Sequence, residues 1–113
     1  MKISYSISLT KEELTLIYTM LETHQKHVRE TNCLRNRADH RAITFMIDKT
    51  NHLIHNYDEN DIITIDSDYF SMILESYISY RLFMRILQPE HYIKRINEAF
   101  ILCAKILNEV AII

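Results

Sequence analysis

The chain has 113 residues, of which 48% are hydrophobic and 25% charged, with a formal net charge of −2, two cysteines and no glycine. Average usage would supply roughly eight glycines, and their absence excludes sites that press a glycine backbone against a ligand: P-loops, dinucleotide fingerprints and G-x-S-x-G nucleophile elbows. A chain of this length forms one domain able to bury roughly 65% of its unfolded surface, enough for a core without metal or disulfide staples.

Residues 2–9 alternate, with Ile3, Tyr5, Ile7 and Leu9 on one face and Lys2, Ser4, Ser6 and Ser8 on the other, the period of a half-buried strand. Thr10 and Glu13 then form a capping box that opens a helix reaching residue 28 or 30. Its apolar positions are Leu14, Ile17, Leu21 and Val28, with Tyr18 beside them. A polar stretch, 30–39, contains a turn. A second helix over 38–55 rests on Ile43, Phe45, Met46, Ile47, Leu53 and Ile54.

The acidic connection 56–61 leads to a second strand at 62–65. Asp66 or Ser67 caps a third helix over 68–87, and Pro89 starts the fourth. Asn32 or Asn36, Asn56 or Asn60, and Pro89 stand where turns would otherwise call for glycine. The third helix is apolar nearly all round, leaving a narrow polar stripe of Ser71, Glu75 and Ser79 joined by Arg81 and Arg85. Such a helix is central to the fold or covered by something else.

The expected fold is mainly α: a four-helix bundle-like single domain, 1–113, with a two-stranded accessory sheet in the order β-α-α-β-α-α. A shift of 56 residues lays Ile7-Ser8-Leu9-Thr10 over Ile63-Thr64-Ile65-Asp66, Leu14 over Phe70, Ile17 over Ile73, and Phe45-Met46 over Ile101-Leu102. This points to a pseudo-twofold repeat with halves 1–57 and 58–113.

All seven arginines fall in two windows. Residues 24–41 carry five bases against two acids, and residues 81–95 four against one, so each window is +3. Asp58, Glu59, Asp61, Asp66 and Asp68 contain no base between them. In a β-α-α repeat both helix turns, and with them both basic windows, gather at the pole away from the sheet. Helix dipoles account for part of this layout. The net negative charge disfavours a nucleic-acid partner.

His24 with His27, and His52 with His55, stand three apart on helices, with Cys33 and His40 near the first pair in the chain. No C-x-x-C or H-E-x-x-H accompanies them, so neither a metal nor another cofactor is expected, and a metal-linked regulator is the more remote alternative. Cys103 sits in an apolar stretch and is expected to be a buried free thiol. Arg35-Asn36-Arg37-Ala38-Asp39-His40 has the form R-N-x-x-x-H and resembles the motif of HEPN ribonucleases. That resemblance implies a helical dimer with Arg35 and His40 acting on a phosphodiester and Asn36 supporting them, whereas the amino-terminal strand departs from that family's all-helical pattern.

With no catalytic constellation standing out, the sequence points to a non-enzymatic protein-binding module: an inhibitor, adaptor or immunity factor. Abundant Ile, Tyr and Asn suit the AT-rich genome of a low-GC bacterium, its phage or a mobile element, and a role in host–virus interaction follows. The expected contacts are Tyr77, Tyr80, Arg81, Arg85, Tyr92 and Arg95, with Arg35, Arg37 and Arg41 at the same pole. The partner is another protein or a second copy forming a homodimer. With no apolar run approaching the roughly 18 residues of a membrane span and no leader pattern, a cytoplasmic location without membrane contact is expected. Nucleic-acid binding or HEPN-like cleavage is the alternative function.

Overall fold

The alternation at the amino terminus becomes strand β1, Ser4–Ile7, and its counterpart becomes β2, Ile63–Asp66. They pair antiparallel, from Ser4 opposite Asp66 to Ile7 opposite Ile63. The computed structural model describes residues 4–30, 37–59 and 62–111. Between and after the strands lie α1 (Lys11–Glu30), α2 (Arg37–His55), α3 (Ser67–Leu87), a 3-10 turn (Pro89–His91) and α4 (Tyr92–Ala111). The β-α-α-β-α-α order read from the sequence is the observed one.

Both outgoing helices start on side-chain caps. The Glu13 amide donates to Thr10 Oγ1 at 3.1 Å while the Thr10 amide donates to Glu13 Oε1 at 2.9 Å, completing the capping box. At α3 the Tyr69 amide donates to Asp66 Oδ1 at 2.8 Å. These caps are 56 residues apart, as are Ile7 and Ile63 across the ladder and the first helical residues Lys11 and Ser67. The sequence shift is therefore a spatial relation between two β-α-α units.

α1 and α3 leave the sheet side by side in the same direction. His24 Nδ1 lies 2.7 Å from Ser79 Oγ, and one turn further on His27 meets the Phe83 ring edge-on. α2 and α4 run back toward the sheet. Gln25 donates to Thr44 Oγ1 at 2.9 Å near the far end of the first hairpin, and at the near end the Tyr57 hydroxyl donates to Leu9 O at 3.0 Å. The turns thus lie at one pole and the sheet at the other. α3 ends at Gln88, whose φ of −137° is open to any residue, so this turn needs no glycine.

The core gathers inward residues from both halves: Leu14, Ile17 and Leu21 with Ile73, Leu102 and Ile106. Met20 joins them, extending the apolar face of α1 beyond the residues read from spacing. Phe45 differs from expectation: it is exposed while its neighbour Met46 is buried, and the equivalent pair Ile101 and Leu102 divides in the same way. Adjacent helical residues are about 100° apart, so only one of each pair reaches the core. Buried Thr50 and Ser76 donate to the carbonyls of Met46 and Met72, four residues back.

In urea denaturation, Thr10→Ala and Asp66→Ala are each expected to cost about 1 kcal/mol through loss of a cap, and Ile73→Ala roughly 2–5 kcal/mol through a core cavity.

Candidate functional site

The outer surface of α3 departs from the stripe expected of it. Ser79 is only 4% exposed because it turns inward to His24, and the solvent line runs through Ser71, Glu75, Ile78, Leu82 and Ile86 instead. On α4, Ile93, Phe100 and Leu107 repeat at seven-residue intervals on the solvent side. With Leu87, these seven apolar residues are 47–77% exposed.

Two arginines of α3 stand beside this face. Arg81 lies over the Tyr77 ring at 5.9 Å, a cation–π contact that holds the guanidinium against α3, and Arg85 is exposed one turn on. Arg41 is exposed near the start of α2. Arg95 Nη1 lies 3.7 Å from Glu98 Oε2, and Tyr92 is half-buried. Tyr80, expected on the same surface, is instead 2% exposed. Arg35, Asn36 and Cys33 lie outside the described residues, as do the side chains of Arg37 and His40, so the R-N-x-x-x-H motif and the histidine–cysteine cluster of the first turn fall there too.

Three of the described histidines have local polar partners. His24 Nε2 is 3.8 Å from Glu75 Oε2, His55 Nδ1 is 2.9 Å from Asn51 O, and His52 Nδ1 is 3.3 Å from Asn56 Nδ2. Among the described residues no three His, Cys, Asp or Glu side chains gather as a metal would require. Ser79 and His24 pair a hydroxyl with an imidazole, but the serine is too buried to meet a substrate carbonyl. Cys103 is buried as expected, which pushes its thiol pKa up to about 11 and keeps it protonated.

A cleft of about 770 Å³ opens between α1, α3 and α4. Leu16, Tyr80, Met84, Ile101 and Leu102 give it an apolar lining, with Glu13 at one end and Arg95 and Glu98 at the other. The 56-residue relation explains why space remains. Tyr69 holds the position equivalent to Glu13 and is buried; its hydroxyl hydrogen-bonds Thr50, and Lys49 Nζ lies 5.0 Å from its ring centroid. Lys105, equivalent to Lys49, reaches Glu13 Oε1 at 2.8 Å. One half thus places a phenol where the other places a short ion pair, and the shorter side chain leaves the cleft. Laying Tyr69 over Glu13 in the repeat was the signal for it in the sequence.

Burial drives the Tyr69 pKa up to about 12, against a smaller opposing effect of its bond to Thr50. Burial also raises that of Tyr80, outweighing the nearby Arg95 charge. For Glu13, burial works against the charged form, but the hydrogen bond from Lys105 and the one from the Thr10 amide outweigh it and hold the carboxyl below its ordinary range. Compared with known protein families, characterised proteins and solved structures, the chain matches none. No helix among the described residues is long and apolar enough to cross a membrane.

A carboxyl whose pKa is lowered by folding contributes stability at neutral pH, and the contribution is lost as pH falls through the carboxylate range to the folded value. Glu13→Gln keeps the side-chain shape without the charge. In thermal melts from pH 7 to pH 3 it is therefore expected to lose less stability than the unaltered chain; an identical acid slope would contradict this account of Glu13.

Proposed function

We propose that the chain is a small, non-enzymatic protein-binding module, working as an inhibitor, adaptor or immunity factor in the cytoplasm, with a bacterium, a phage or a mobile element as its source. The observation that carries this reading is the line Ile78, Leu82 and Ile86 on the solvent side of α3, bordered by Arg81 and Arg85. An apolar strip of this kind beside Tyr77 and two arginines has the composition of a binding hot spot. The AT-rich residue bias supports the source, and the arginines favour a partner with acidic groups around an apolar centre.

The test is recovery of partners by tagged protein from its native host, using the unaltered chain and an Arg81→Glu/Arg85→Glu variant that melts at the same temperature. A bound protein is expected to be lost by about thirtyfold or more in the variant. Its complex with the unaltered chain should survive a change from about 50 to 200 mM salt, over which a nucleic-acid complex loses several orders of magnitude. Undiminished recovery by the variant removes these arginines from the site. Light scattering of the purified chain decides whether the partner is a second copy.

A further inference from the structure

Tyr80 is nine-tenths buried, yet its hydroxyl forms no hydrogen bond with any described residue, and the side chain lines the cleft between α1, α3 and α4. No buried side-chain oxygen among the described residues lacks a partner, so this hydroxyl is not sealed in the core but opens onto the cleft. The other hydroxyls along this wall are already used: Thr15 Oγ1 donates to Lys11 O at 2.9 Å and Thr19 Oγ1 to Thr15 O at 3.0 Å. The charges balance as well. Glu13 is matched by Lys105 and Glu98 by Arg95, while Lys11 and Glu12 are neighbours at the mouth.

A ligand here therefore meets apolar walls, charges that sum to zero and one unused hydroxyl. The volume lies within the range of small-molecule sites. A net charge on the ligand would lose hydration without gaining a counter-ion, whereas a carbonyl or hydroxyl oxygen would accept from Tyr80. We propose that this cleft binds a small, electrically neutral, largely apolar molecule carrying one hydrogen-bond acceptor for the Tyr80 hydroxyl. The site is separate from the outer α3 and α4 face, so it stands whether or not that face binds a protein.

The repeat supplies the control. Glu13→Tyr places in the cleft the side chain that fills the equivalent position as Tyr69, with Lys105 placed to stack on it as Lys49 does. Titration uses the uncharged fluorescent probe N-phenyl-1-naphthylamine, followed by displacement with octanamide, octanoate or octylamine. One probe per chain is expected, displaced by octanamide at least about tenfold more readily than by either charged analogue. Glu13→Tyr should abolish binding, and Tyr80→Phe should keep the probe while weakening octanamide about fivefold. If Glu13→Tyr does not fold, Thr15→Phe, at an exposed helical position on the same wall, takes its place. Absence of probe binding overturns the proposal, as do equal displacement by the charged analogues and full binding by the filled variant, which would put the probe on the outer face.

Discussion

Four residues of β1 paired antiparallel with four of β2 decide the direction of everything that follows. Each strand passes into a side-chain cap and then a helix of about twenty residues. Because the strands are related by an approximate twofold through Ile7 and Ile63, both helices must leave the sheet on the same side and in the same sense. That is why α1 and α3 lie parallel, an arrangement that the short connections of an up-and-down bundle do not produce. It also separates the charges: Arg29, Arg81 and Arg85 lie toward the turns, while Asp66 and Asp68 lie at helix starts beside the sheet. The absence of glycine fits this scaffold, since side chains close the helix starts and Gln88 ends α3 with a negative φ.

A repeat makes the differences between halves informative. Thr50 and Ile106 occupy equivalent buried positions, one satisfying its hydroxyl with Met46 O and the other wholly apolar. His24 and Tyr80 are also equivalent, and their fates diverge: the histidine bonds across the helix pair to Ser79, while the phenol faces the cleft. The divergence begins with Glu13. An ionised carboxylate cannot be buried without a partner and keeps contact with water even when paired, whereas Tyr69 can be buried once its hydroxyl is satisfied. The space beside Tyr69 is thus filled and the space beside Glu13 open.

The outer face of α3 and α4 follows from placing a helix apolar nearly all round at the edge of the molecule. α3 packs one side against α1 and another against α4, and its third side keeps Ile78, Leu82 and Ile86 in water. Exposure of this extent weakens solubility unless another surface covers it.

Local chemistry alone settled the strand alternation, the capping box at Thr10 and the cap at Asp66, because each depends on residues within one turn or one pleat of one another, and the element order and the 56-residue offset followed from the recurrence of those local patterns along the chain. The buried thiol of Cys103 was equally legible from its apolar neighbours. The side of α3 that meets water was not. Ser71, Glu75 and Ser79 satisfy helical spacing, but the pairing of Ser79 with His24, 55 residues away, turns the helix so that Ile78 and Leu82 face outward. Tyr80 moved from expected surface contact to cleft wall by the same rotation. Periodicity states that a helix has two faces; only packing against α1 and α4 decides which residues at their border go inside, because that choice depends on the volumes and hydrogen-bonding groups that neighbouring helices bring to the contact.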